Sequence, residues 1–210
     1  MNLRLSRALR LSLLVVLVPS VLIGCGSTAP STAAPPTTAG TSTPTTASTA
    51  TFTVSSPAMQ DGGTLPVDFT CDGAAVSPPL AWSTPPAGTT SLAIVMHHVP
   101  GPGDTHWYWV LYDIPASVTA VARGATDVGV FGTNSVNGDV AYTPPCSKGP
   151  GAKTYTLTVY ALSAPPTFTV PRAQVSRDVL LTAIGSTTLA SASMDVTYSR
   201  TGSATAGPMR

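Results

Sequence analysis

Cys25 follows Leu22-Ile23-Gly24 and closes an apolar stretch, Leu11 to Val18, that Arg4, Arg7 and Arg10 precede. A basic n-region, an apolar h-region and a small residue before the cleavage point make an export signal over residues 1–24. With cysteine at that point the pattern is a bacterial lipobox. Its chemistry is thioether formation: the thiol takes a diacylglyceryl group, carries palmitate-type acyl chains and becomes the first mature residue. The alternatives are a plain secretory signal with an incidental cysteine, or a membrane-spanning helix. The apolar run is too short to span a bilayer, and Pro19 interrupts it. The expected location is the cell membrane, lipid-anchored, on the extracytoplasmic face.

His97, His98 and His106 invite a second chemistry, because imidazole is a common transition-metal ligand. Adjacent residues on a strand point to opposite faces, so His97 and His98 do not readily share an ion. There is no CxxC or HExxH spacing, and no metal or other cofactor is expected. There is also no Gly-x-Ser-x-Gly elbow, so hydrolysis has little support and the chain is not expected to be an enzyme. Cys71 and Cys146 are the remaining thiols. Outside the cytoplasm such a pair tends to oxidise. A 71–146 disulfide is the expected state, and two buried free thiols are the alternative.

Composition narrows the partners. Removing residues 1–24 takes three of the ten basic residues, leaving seven against nine acidic ones, all Asp, for a net charge of −2. Without a basic tract there is no electrostatic footprint for nucleic acid. Residues 26–51 contain only Gly, Ser, Thr, Ala and Pro. Such a segment builds no core. Residues 25–51 therefore read as a lipid-anchored linker, reaching roughly 25–30 Å as a flexible coil. A single domain is expected over 52–200, with a tail at 201–210.

The elements that must position the polar residues are mostly strands. Short apolar-alternating runs lie between Gly, Pro, Asn and Asp punctuation. Strands are expected at Thr64–Thr70, Ser91–Met96, Trp107–Tyr112, Thr154–Ala161 and Met194–Tyr198. Ser91–Met96 is continuously apolar, so both its faces should be buried. In Thr154–Ala161, Tyr155, Leu157, Val159 and Ala161 share one face. One helix is expected over Arg172–Ile184, with Pro171 early and Gly185 at its stop. The fold class is all-β: two packed antiparallel sheets with one short C-terminal helix.

Several segments then fall into a familiar order: Thr70-Cys71-Asp72-Gly73, Ser77-Pro78-Pro79-Leu80-Ala81-Trp82, Tyr108-Trp109-Val110-Leu111-Tyr112-Asp113-Ile114-Pro115-Ala116, Gly132-Thr133-Asn134, Tyr142-Thr143-Pro144-Pro145-Cys146, and Tyr155-Thr156-Leu157-Thr158-Val159-Tyr160-Ala161-Leu162. This order resembles the phosphatidylethanolamine-binding protein family, in its bacterial Raf-kinase-inhibitor-like branch, over nearly all of 52–200. The resemblance implies a β-sandwich with Greek-key character, a small anion pocket at one end, and a helix near that pocket.

The chain departs from the family pattern where that pocket is expected. His98 and Pro100 stand in place of two carboxylates. Tyr108 holds a histidine position, with His106 two residues earlier and on the same face of an extended strand. Lys153 replaces a second histidine and Thr154 an arginine, while Thr143, Pro144 and Pro145 represent a Gly/Pro turn. The implied ligand set is His98, His106, Tyr108, Pro144, Lys153, Tyr155 and Asp72. Asp72 is expected to shape its turn through side-chain-to-backbone bonds, or else to orient a pocket group, and Lys148 to be a solvated loop charge. Carboxylates are lost and cations gained, and lysine suits a point contact to phosphate. The leading expectation is non-covalent binding of a small anion, a phosphoryl or phospholipid headgroup. The alternative is a protein-interaction or inhibitor module acting on another exported protein. The family's kinase-inhibitor role is not expected of a domain tethered outside the cytoplasm.

Overall fold

Ser91–Met96 is apolar at every position after Ser91 because two layers cover it. It begins β4 (Ser91–Gly101), which pairs antiparallel with β5 (Asp104–Pro115) on one side and β8 (Lys153–Leu162) on the other. The computed structural model describes residues 51–148 and 151–200. The expected export signal, Cys25, the expected linker up to residue 50 and the expected tail 201–210 lie outside the described residues.

The remaining strands are β1 (Val54–Ser55), β2 (Gly63–Thr64), β3 (Leu80–Trp82), β6 (Ala120–Val121), β7 (Val130–Phe131) and β9 (Thr188–Tyr198). They form a three-stranded sheet in the order β1-β3-β6 and a six-stranded sheet in the order β2-β9-β8-β4-β5-β7. The run β8-β4-β5-β7 has the fourth strand returning beside the first, which is the Greek-key order. One short pairing breaks the antiparallel rule: β2 runs parallel to β9.

Two buried clusters sit on opposite faces of the large sheet. The larger joins Leu80, Trp82 and Val121 of the small sheet to Leu92, Ile94, Trp109, Leu111, Tyr155, Leu157 and Val159. The face of β8 expected from its alternation is the one that turns inward. On the other face Ala93, Val95, Val110, Tyr112 and Leu162 meet Val175, Leu180 and Ile184. The helix α1 (Arg177–Ile184) supplies the last two of these and so covers the outside of the sheet.

The helix differs from its expected span. It begins at Arg177, where Ser176 caps it by accepting from the Val179 N–H at 3.3 Å. Arg172–Gln174 is a separate 3-10 turn opened by Pro171. Apolar periodicity ran through both because Val175 and Leu180 enter the same cluster, but a serine in extended conformation separates them. Thr64–Thr70 is likewise not a strand: Thr64 ends β2 and Val67–Phe69 forms a 3-10 turn after Pro66. The other expected strands are present and longer. Among the described residues no helix is long and apolar enough to cross a membrane.

Three irregularities break the β4–β5 ladder, and the one at Tyr108 bears on the site. Met96 pairs with Trp109 but His97 pairs with Trp107, so β5 carries one extra residue, Tyr108. A bulge of this kind re-aims side chains. Tyr108 and Trp109, adjacent in sequence, both join the core between the sheets. Asp113, at a positive φ of 55°, makes another bulge and lets Leu111 and Ile114 share that core.

Candidate functional site

The cavity of interest lies where β4 ends, β5 begins and β8 begins. Its volume is about 310 Å³, and its lining comprises His98, Pro100, His106, Tyr108, Ser135, Val136, Pro144, Cys146, Ser147, Lys148, Lys153 and Tyr155. It is small for a ligand pocket and matches a headgroup rather than an acyl chain. Six of the seven residues of the expected pocket set are here, His98, His106, Tyr108, Pro144, Lys153 and Tyr155; Asp72 is not. The helix is not; no residue of α1 lines the cavity, since α1 packs on the opposite face of the sheet.

Backbone geometry aims each group. The β4–β8 ladder ends at the His97–Thr156 pair. Beyond it the His98 Nδ1–H donates to the Thr154 carbonyl at 2.8 Å, so a side chain continues the pairing. A carbonyl only accepts, which places the hydrogen on Nδ1 and leaves Nε2 for a ligand. The His98 ring tilts over Tyr155 with centroids 5.3 Å apart, and Tyr108 meets Tyr155 edge-on, also at 5.3 Å. His106 stands opposite His98 across the ladder, and its Nε2 is 3.4 Å from an Asp104 carboxylate oxygen. His106 shares the cavity side with Tyr108, as an extended segment requires.

Tyr155 is 0% exposed and lines the cavity, yet its hydroxyl has no hydrogen-bond partner among the described residues. The Tyr108 hydroxyl is near enough to couple to it but does not meet it at hydrogen-bonding geometry. Burial, then the neighbouring Tyr108, push the Tyr155 phenol well above its ordinary value, so it remains a neutral donor. Burial raises Tyr108 as well. Ser147 is a second orphan: it is 4% exposed, lines the same cavity, and its hydroxyl is also unpartnered among the described residues. Native structures satisfy most buried polar atoms, so two such hydroxyls on residues lining one cavity point to a place for an acceptor beside them.

The rim is held from outside. Cys146 is disulfide-bonded to Cys71, with Cα atoms 5.2 Å apart. The Cys71 N–H donates to the Pro145 carbonyl at 3.0 Å and the Thr143 N–H to that of Tyr108 at 2.8 Å. Lys153 Nζ donates to the Lys148 carbonyl at 2.7 Å. Three ammonium hydrogens leave two for a ligand. The opposite lip carries Ser135 and Val136. Buried Asn134 fixes them: its Oδ1 accepts from the Val136 N–H at 2.8 Å and the Asn137 N–H at 3.0 Å, and its Nδ2 donates to the Asp139 carbonyl at 3.0 Å.

Asp72 departs from its expected roles. It does not line this cavity; it borders a separate hollow with Tyr198 and Arg200. Its carboxylate accepts from the Tyr198 hydroxyl and pairs with Arg200 at 2.7 Å, rather than bonding to its own turn. Arg200 also approaches Cys146 Sγ at 3.6 Å, so this cluster braces the far side of the disulfide. Lys148 is exposed, as expected, but it reaches the cavity rim and supplies the carbonyl that holds Lys153. Ser135, Val136 and Ser147 are lining residues that sequence reasoning did not include, and Pro100 lines the cavity at the pocket position the resemblance gave it. For Ser147 alone a signal existed, its position directly after Cys146. Among the described residues no group of three His, Cys, Asp or Glu side chains forms a metal-binding cluster.

Fold and cavity together define a helix-backed β-sandwich with a small, donor-lined cavity at the ends of its central strands. The model of the phosphatidylethanolamine-binding protein family matches residues 55–199, and the chain belongs to that family. A UPF0098 protein of Mycobacterium tuberculosis is 32% identical over 162 residues, covering 74% of this chain and 79% of that one. A second M. tuberculosis chain, designated a candidate lipoprotein, LppC, is 36% identical over 118 residues, 54% of this chain and 58% of its own length. Among solved structures, the candidate family homologue CT736 of Chlamydia trachomatis superposes with a TM-score of 0.65 at 27% identity, covering 72% of this chain and 99% of that one. YbcL of E. coli, described as a member of the mammalian family, has the same TM-score at 25% identity, with 72% and 100% covered.

Proposed function

We propose that this domain binds a small oxyanion, a phosphoryl group or phospholipid headgroup, in the cavity between His98, Lys153 and Tyr155, without performing chemistry on it. The observation that carries the reading is the fully buried Tyr155 hydroxyl, which belongs to a residue lining the cavity and has no partner among the described residues. An oxyanion would accept from it, from Ser147, and from the two free hydrogens of Lys153. Hydrogen bonds to a charged group contribute about 1.5–3 kcal/mol each, enough for specific binding by a few contacts. The family to which the chain belongs is named for a phosphate-bearing lipid, which supports the same ligand class.

The test is calorimetric titration of the full-length protein with inorganic phosphate. Saturable heat is expected, weakened about tenfold or more in Lys153→Ala. The variant's melting temperature should barely change, because Lys153 is half-buried and its one described bond goes to an exposed loop. A folded sample that gives no heat would overturn the reading and leave the protein-interaction alternative.

The same proposal places the domain on a membrane surface through lipid on Cys25. The lipobox supports it, as does the lipoprotein designation of the mycobacterial relative. Full-length protein is expected in the detergent phase with incorporated palmitate, and Cys25→Ser protein in the aqueous phase without it. Equal partitioning of the two would refute the anchor.

A further inference from the structure

We propose that the cavity selects its ligand by charge: it takes a phosphomonoester, or an oxyanion of similar charge density, in preference to a zwitterionic phosphoethanolamine diester. This rests on the anion-binding reading above and departs from what the family name suggests.

The lining is one-sided. Tyr155 and Ser147 offer hydroxyl hydrogens and Lys153 two ammonium hydrogens. No carboxylate lines the cavity among the described residues. The carboxylates around it have other partners: Asp104 faces His106 at 3.4 Å, Asp139 accepts from Asn137 Nδ2 at 2.8 Å, and Asp72 pairs with Arg200. An ethanolamine ammonium would therefore meet Lys153 with no carboxylate among the described lining residues. A phosphomonoester carries about −1.5 to −2 near neutral pH and three acceptor oxygens, against a single negative charge on a diester. The donor count and the charge both match the former.

The experiment titrates full-length protein with inorganic phosphate, sn-glycerol 3-phosphate, dihexanoyl phosphatidate and glycerophosphoethanolamine. The phosphomonoesters are expected to bind at least about tenfold tighter than glycerophosphoethanolamine. Tight binding of either glycerol phosphate or phosphatidate supports the proposal, and their ratio distinguishes a soluble from a lipid source. Val136 is 53% exposed at the lip, so Val136→Asp adds a carboxylate with little packing loss. It should narrow the preference to within about threefold. Glycerophosphoethanolamine binding as tightly as the phosphomonoesters would overturn charge selection while leaving anion binding intact. No heat with any ligand would instead defeat the anion reading itself. An undiminished preference in folded Val136→Asp would also count against the proposal. If that variant does not fold, the ranking on the unmodified protein decides.

Discussion

Replacing Tyr155 with phenylalanine separates a binding role from a packing role, because the two predict opposite signs. The hydroxyl is buried and unpartnered among the described residues, so the unliganded protein bears its desolvation without a compensating bond. Removing such a group relieves about 1–2 kcal/mol. The phenylalanine ring keeps the tilted contact with His98 and the edge contact with Tyr108, so no cavity opens. Unliganded Tyr155→Phe should thus melt higher, by about 2–4 °C for each kcal/mol gained at this chain length. With an oxyanion present the sign reverses. The lost bond to a charged acceptor is worth about 1.5–3 kcal/mol, a drop in affinity of about ten- to hundredfold. Thermal unfolding with and without saturating phosphate, plus calorimetric titration, reads both effects from one preparation. The phenol is pushed upward by burial, so the difference should hold across neutral pH and not titrate away. A variant that melts lower than wild type while binding phosphate equally would refute the reasoning, since the hydroxyl would then be structural.

Two further predictions concern the rim. The disulfide closes a loop of 75 residues, for which the chain-entropy account gives about 4.5 kcal/mol. The Cys71→Ser/Cys146→Ser double variant should therefore melt about 9–18 °C lower in a calorimetric scan, and an unchanged transition would contradict that account. Phosphate affinity should fall with it, because Cys146 lines the cavity. Asp72 gives a pH signature. The Tyr198 hydroxyl, and after it the Arg200 guanidinium, hold its carboxyl below the ordinary 3.8. A carboxyl lowered in the folded state contributes stability above its unfolded value and loses it as pH falls through the folded one. The melting-temperature gap between wild type and Asp72→Asn should be level at neutral pH and close below pH 3.8. A gap that persists in strong acid would show that the pairing does not depend on the carboxylate charge.

What the sequence disclosed follows from the range of the interaction behind it. The inward face of β8 was legible because alternation is local: Tyr155, Leu157, Val159 and Ala161 each report their own burial. Ser91–Met96 was legible for the same reason, as a run with no polar side after Ser91. The helix start was not, since Val175 is apolar for a contact it makes from outside the helix, and only the Ser176 cap separates the two segments. Asp72 was misassigned because its partners lie 126 and 128 residues away on β9 and beyond, where no local pattern points to them.

The other expected pocket residues came together, but the reason is not in their identities. His106 and Tyr108 sit two apart and would face one way on any strand; on a regular ladder that face would be the one Val110 and Tyr112 use, toward α1. The extra residue at Tyr108 reverses the parity, so that the pair turns to the cavity while Val110 and Tyr112 still reach the helix-side core. Nothing in Trp107-Tyr108-Trp109 marks a bulge; it shows only in the register of β5 against β4. Ser147 shows the same dependence. A serine in a Gly- and Pro-rich loop is ordinarily solvated, and it becomes a buried orphan only because the Cys71–Cys146 bond and the Lys153–Lys148 contact draw the loop over the strand ends. The donors of the site are thus readable as residue types, whereas their convergence depends on a bulge and a cross-link, each a long-range closure. Perturbing either should disperse the site.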